Sequence, residues 1–459
     1  MSSNSESNPI ALTPRMQLIL QGSIPKMLAR LAVPNVAAVA ATTAVTFADV
    51  YFVGQIGTTA LASLAIVFPF QTLMGMMSNG AIGGGVASSI VRALGGNSIL
   101  KAENSAWHAI VIGIFMSLLY MIVLGVFSRP IFSLIIGPGD VLEGAVDYAQ
   151  IVFNGAAIVW LAFMLSAILR GTGEMAIAAN AIILASIFHI ALSGALTLGW
   201  GPFPVLGITG PATAMIVSHG LVAMYLLTQV LGGKARINLR PHKFSWISVK
   251  DIMKVGGLGL INSTGLILTV IAVTAFVGRF GAEALAGYGL GSRLELTLVP
   301  LAFGVGAALT TAVGGNFGAG QFTRARHIAW TGAGITFVAT SIIGVSIALF
   351  PGIWLDHFTA DPEVYAIGVS YLVIAAPVYG IFGGGQTLYF ASQGTGHMIL
   401  PVIITYTRFF VVAVFGLAGA ILDWSLTTIF VGVGLGLSVV GIGQVLNVLR
   451  GSAWNYDRS

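Results

Sequence analysis

Asp49 and Glu295 are acids set inside long apolar stretches, Thr42–Gly54 and Gly287–Val299, clear of the polar breaks on either side. A carboxylic acid holds its proton when it is buried and yields it when it is wetted, so an acid in such a place can load and release an ion as its surroundings change. Asp49 is the first candidate for that chemistry. His189 lies midway along another apolar stretch, and histidine is the side chain that titrates nearest neutral pH, so it could share or relay the proton. Arg293 and Glu295 are two residues apart. On a helix they point about 200° apart and cannot pair well with each other. Arg408, alone in a later apolar stretch, is the expected neutraliser of Glu295. The other reading makes Glu295 a second ion-coupling site, with Arg293 and Arg408 as ion-pair or substrate-contact residues.

The elements that must position these groups follow from composition. The chain has 459 residues, 56% of them apolar and 8% charged, against roughly one quarter charged in water-soluble domains. An all-α integral membrane protein is the consistent class, with ions held inside it only for a reason, since an ionised acid near mid-bilayer costs about 2.5–3.5 kcal/mol. Apolar runs place twelve transmembrane helices at 31–53, 59–82, 106–127, 149–169, 177–199, 208–230, 256–278, 284–312, 328–350, 367–391, 399–421 and 426–449. With the N-terminus inside, every Lys and Arg except Arg129, Arg279, Arg293 and Arg408 falls on one side. The positive-inside rule therefore puts both termini in the cytoplasm. The polar start MSSNSESNPIALTP lacks the basic and apolar regions of a signal peptide.

The longest polar break, 232–254, carries Lys234, Arg236, Arg240, Lys243, Lys250 and Lys254. It predicts a basic cytoplasmic linker between an N-terminal lobe, 1–231, and a C-terminal lobe, 255–459. The lobes repeat each other. Phe52–Ala62 matches Phe276–Ala286 at seven of eleven positions, and Arg170–Met175 matches Gln393–Met398 at four of six. Six spans per copy is an even number, so the copies run in the same direction about a pseudo-two-fold axis along the membrane normal.

Pro34 fifteen residues before Asp49, the Phe52-Val53-Gly54 turn, Arg170-Gly171-x-Gly173, and Tyr288–Glu295 leading to Asn316-Phe317-Gly318-Ala319-Gly320 together resemble the multidrug and toxic compound extrusion (MATE) family. The resemblance implies a V-shaped twelve-helix antiporter that exports amphipathic organic cations or related compounds against H⁺ or Na⁺. It also implies that Pro34 bends the first span, and that the chain works as a monomer in a bacterial inner membrane. DinF-like members pair the first-span Asp with an Asn and an Asp in the fifth span; here His189 and Ser193 stand at those places. NorM-like members use acids in the seventh and tenth spans, which this chain lacks, so the DinF-like branch is the nearer one. The substrate cavity is expected to draw on Gln71, Met74, Tyr288, Tyr379 and Tyr389, because aromatic, thioether and amide groups adapt to flat cations.

Other classes fit less well. A flippase for a lipid-linked or polyprenyl substrate is the alternative, but it calls for a strongly basic centre, and the spans offer only Arg293 and Arg408. A membrane enzyme would need paired acidic motifs, a metal set or a nucleophile with its base, and the spans supply none, so no catalytic residue, metal or organic cofactor is expected. The absence of cysteine excludes disulfides, thiolate metal sites and a cysteine nucleophile. A net charge of +5 reflects loop asymmetry and gives no support for nucleic-acid binding. The expected partners are the lipid bilayer and a small organic substrate.

Overall fold

The computed structural model describes residues 14–235, 237–422, 424–450 and 454. The polar stretch before Pro14, Arg236 of the linker and Arg458 near the end lie outside the described residues. Every described element is helical. A short α1 (Pro14–Gln21) precedes α2 (Ile24–Ile56), α3 (Thr58–Gly75), α4 (Gly83–Gly95), α5 (Ile99–Tyr120), α6 (Ser128–Ser133), α7 (Asp140–Asn154), α8 (Ala156–Gly171), α9 (Met175–Leu198) and α10 (Thr209–Leu231). The second half contributes α11 (Trp246–Gly278), α12 (Ala282–Gly318), α13 (Phe322–Leu349), α14 (Gly352–Leu355), α15 (Pro362–Ala375), α16 (Tyr379–Thr395), α17 (Ile399–Ile421) and α18 (Leu426–Arg450).

Among the described residues eleven helices are long and apolar enough to span a bilayer, and the bent pair α7–α8 makes a twelfth. That pair turns by 46° at Gly155, so the predicted span 149–169 begins earlier and is broken. The predicted span 59–82 also runs further, through a π-helical turn, Met76–Ile82, into α4. Ser78 sits in that turn and its hydroxyl donates to the Met74 carbonyl at 2.7 Å, a side-chain bond that loosens the regular ladder. π-turns within helices concentrate at functional positions.

Three apolar cores hold the helices. One lies within the first half, around Trp160, Phe153 and Tyr148. Another lies within the second half, around Tyr371, Phe382 and Phe430. The third joins the halves, packing Met16, Ile19, Met27, Leu31 and Val91 against Ala308, Leu309, Val313 and Ile328. Polar contacts cross at the same end: Arg92 Nη2 bonds both Asp251 carboxylate oxygens at 2.9 Å, and Gln393 Nε2 donates to the Gly80 carbonyl at 3.1 Å. The halves therefore meet at the end that carries the basic turns. The linker is fixed to the first half there by His108, whose Nδ1 donates to the Asn104 carbonyl at 2.7 Å, leaving Nε2 to accept from Ser245 N at 2.8 Å.

Close approach at this junction requires glycine. A Cβ at Gly259 would lie 3.0 Å from Ala81 Cα, where real side chains rarely sit. Gly259→Leu is expected to wedge the halves apart, at about 1–3 kcal/mol of overpacking, which shifts the closed population by about 5- to 150-fold. Because the chain has no cysteine, Ser88→Cys at this junction reports the opening directly. Its maleimide labelling rises in the Gly259→Leu background and stays at the starting rate if the junction tolerates the wedge.

Candidate functional site

α9 presents His189 and Ser193 one turn apart, on one face, toward the last two turns of α2, where Asp49 lies. All three are buried, Asp49 at 8% exposure. His189 Nε2 is 3.1 Å from both Asp49 carboxylate oxygens, and Ser193 Oγ donates to Oδ1 at 2.6 Å. On its other side, His189 Nδ1 is 3.3 Å from Ser218 Oγ of α10. The Ser218 hydroxyl hydrogen is already committed to the Met215 carbonyl at 3.0 Å, so Nδ1 carries a hydrogen and donates to Ser218.

That assignment leaves one proton between Nε2 and the carboxylate. The pair is imidazolium with carboxylate, or imidazole with carboxylic acid, and in either form its net charge is zero. Losing that proton makes the cluster −1; gaining a second makes it +1. A group with these three states attracts a cation in one and repels it in another.

The cluster forms part of the wall of a cavity of about 410 Å³. Asn35 and Asp49 both line it, and the stretch of helix between them is about 21 Å long. Its walls come from the first half, with Phe303 reaching in from α12. Tyr148 donates to Gln71 Oε1 at 3.1 Å, and Gln71 Nε2 reaches Met215 Sδ at 3.1 Å, a chain of polar contacts along an otherwise apolar wall. Gln71 and Met74 line the cavity, and so does His219, whose Nδ1 donates to the Met215 carbonyl at 2.9 Å.

The tyrosines expected beside them lie elsewhere. Tyr288 packs edge-on to Tyr371, with ring centroids 5.3 Å apart, and Tyr379 is fully buried, both in the core of the second half. Tyr389 is buried against Phe390 at 5.2 Å. Aromatic residues fill the tight interior of a helical lobe as readily as they line a cavity, and their type alone does not separate the two. Pro34 lies within the continuous helix α2, one residue from Asn35 of the cavity wall. It has no N–H for the Arg30 carbonyl, so the ladder is interrupted there.

Glu295 and Arg408 meet in the second half. Arg408 Nη2 donates to Glu295 Oε1 at 2.6 Å, and Tyr371 donates to Oε2 at 2.7 Å. The guanidinium lies 5.3 Å from the centre of the Phe382 ring. Arg293 is exposed on the surface of α12 while Glu295 is buried, as two positions about 200° apart require.

The positive-inside pattern assigns Arg170 to a cytoplasmic turn. It is 5% exposed and lines the cavity. The signal that could have found it is its repeat partner, the neutral Gln393: a charge present in one copy and absent from the other is a candidate for function.

A profile of the MatE family matches residues 34–193 and 261–418, one segment in each half. The chain is 26% identical to the FAD transporter of Shewanella oneidensis over 80% of its own length and 81% of that protein. It is 27% identical to the probable multidrug resistance protein NorM of Thermotoga maritima, over 70% of each, and 24% identical to the multidrug export protein MepA of Staphylococcus aureus, over 82% and 84%. Its fold matches that of a MOP superfamily transporter from Pyrococcus furiosus, with a TM-score of 0.88 and 21% identity over 97% and 99% of the two chains. An outward-facing multidrug resistance MATE family transporter matches at a TM-score of 0.87 and 22% identity, over 97% and 100%. These neighbours share the V-shaped arrangement of two lobes.

Proposed function

The chain belongs to the MATE (MatE) family of membrane transporters, and from that premise we propose that it is an efflux antiporter that expels amphipathic organic compounds, cations foremost, in exchange for protons held at Asp49 and His189. Members of this family are transporters and not enzymes. One observation carries the proton reading: His189 faces Asp49 at 3.1 Å while its other nitrogen donates to Ser218. Hard cations seek shells of oxygen ligands, whereas here an imidazole faces the acid directly and, once protonated, repels a metal cation. Ser193 takes the place of a further carboxylate, which leaves a single acid and favours a proton over Na⁺.

The cycle follows from the three charge states. Deprotonated, the cluster carries −1 and favours an organic cation in the cavity; doubly protonated, it carries +1 and disfavours one. Alternating access then exchanges cargo for protons. The 410 Å³ volume suits a drug-sized molecule, and this supports a free organic compound over a polyprenyl-linked one. Residues 1–231 and 255–459 act as the two lobes, 232–254 connects them in the cytoplasm, and Pro34 is where α2 bends during the cycle. The relatives from Shewanella, Thermotoga and Staphylococcus support a bacterial cytoplasmic membrane as the site of action, with a single chain as the working unit.

The test uses purified protein in liposomes and a fluorescent organic cation. A pH gradient alone is expected to drive transport, and a Na⁺ gradient at uniform pH is not. Transport that follows only Na⁺ would place the coupling elsewhere.

A further inference from the structure

The end of the cavity away from Asp49 has the opposite polarity. Arg170 lies in the last turn of α8, and two of its five N–H donors are used: Nη1 bonds Asn79 Oδ1 at 2.6 Å and Nη2 bonds the Asn79 carbonyl at 3.2 Å. Among the described residues no carboxylate pairs with it. One turn earlier on the same face, Ser166 also lines the cavity. Its hydroxyl is buried, 1% of the residue is exposed, and it has no hydrogen-bond partner. Gly83 makes room for the guanidinium, since a Cβ there would lie 3.0 Å from Nη2. A buried cation, an unpartnered hydroxyl and a space kept open by glycine form a site built for an oxoanion.

The internal repeat separates this reading from a packing role. Gln393, at the equivalent position of the second half, is 2% exposed and is held by neutral bonds alone, accepting from Thr310 of its own half and donating to Gly80 across the junction. Packing at this place in the fold therefore does not require a charge. An isolated buried guanidinium is unfavourable unless an anion satisfies it. Arginine is suited to carboxylate and phosphate, whose paired oxygens match its planar fork.

We propose that Arg170 and Ser166 form an anion subsite at the inner end of the cavity, which takes the carboxylate or phosphate of an amphipathic molecule whose apolar body fills the rest. The proposal rests on the reading of the cavity as the cargo site and narrows its cargo to compounds that carry an acidic group beside the flat or cationic part. The same chemistry is offered by a soluble organic acid and by an anionic lipid headgroup.

The experiment compares equilibrium binding of two probes, rhodamine 110 with its free carboxylate and rhodamine 123, its methyl ester, at neutral pH in uncharged maltoside micelles. The wild type is expected to prefer the free acid. Arg170→Gln lowers the acid-to-ester affinity ratio by about ten- to a hundredfold, Ser166→Ala lowers it less, and Arg170→Lys retains part of it. Added phosphatidylglycerol that displaces the acid probe identifies the headgroup as a natural occupant; no displacement identifies the soluble acid. A wild type with no preference, or an Arg170→Gln ratio equal to the wild-type one, overturns the proposal. The first of these needs no variant to fold. Because no ion gradient is present, failure of proton exchange leaves this result unaffected, and failure here leaves the gradient experiment unaffected.

Discussion

Asp49→Asn is expected to abolish transport driven by a pH gradient, down to the rate of empty liposomes, in a protein that still folds and still binds a dye. The amide keeps most of the local geometry. Its oxygen accepts from Ser193, as the carboxylate does at 2.6 Å, and its NH2 group can donate to Nε2 of neutral His189, the atom that faces the carboxylate at 3.1 Å. What it lacks is a charge that changes. With Asn at this position the cluster alternates only between neutral and +1, so the state that attracts a cation is gone and no proton is exchanged for cargo. His189→Gln is the informative partner, because it removes the relay and leaves the acid. Part of the pH-driven rate is expected to survive in it. If His189→Gln loses all pH-driven transport and Asp49→Asn transports normally, the carrier is the imidazole and the acid only orients it.

The second large effect is on stability. Glu295→Ala or Arg408→Ala each removes one charge of a pair buried at 6% and 5% exposure and strands the other. Breaking such a pair costs about 3–5 kcal/mol. The stranded Arg408 would keep only the Phe382 ring, and the stranded Glu295 only the Tyr371 hydroxyl. Replacing both together, Glu295→Met with Arg408→Met, removes the desolvation penalty along with the attraction, so it recovers most of the loss or exceeds the wild type. Thermal unfolding in detergent reads the order directly: both single variants melt well below the wild type and the double variant near it. Retained pH-driven transport in the double variant assigns the pair to holding the second lobe, whereas its loss makes Glu295 a coupling residue beside Asp49.

Much of this molecule is legible in its sequence, for a physical reason. Lipid removes the option of unpaired backbone, so an apolar run of about 20 residues has to be a helix. The rare acids inside such runs then stand out by their cost. Asp49, His189 and Ser193 could be matched by counting from Gly173, because α9 is regular from Met175 onward. Glu295 and Arg408 could be paired because few other embedded charges exist to neutralise them. What stayed hidden depends on irregularity. The π-turn Met76–Ile82 that presents Asn79, and the bend at Gly155 that carries α8 inward, put Arg170 inside a helix bundle, although its neighbours Gly171 and Gly173 read as a surface turn. Tyr148 was missed for the same reason: it belongs to α7, the segment before the bend, which the hydropathy pattern assigns to the approach to the span. The tyrosines of the second half were misplaced because residue type does not encode which side of a helix faces a neighbour.

The 410 Å³ cavity and the Asp49 cluster occupy the same half of the protein, and Asp49 itself is part of the cavity wall. Under the proposed exchange, ion and cargo contend for a single volume, and exchange becomes a rule of occupancy: whichever is bound has displaced the other. No message has to cross from lobe to lobe to keep the exchange strict. The fidelity of such a pump depends on how completely a cargo fills the space beside Asp49. A bulky compound excludes protons and is moved at a fixed ratio, while a slender one leaves room for them, so that protons slip past and the gradient dissipates as heat. The number of cargo molecules moved per proton, measured across a series of cargoes of graded width, should fall with decreasing width, and the slope would be a property of the cavity wall and not of the hinge that opens it.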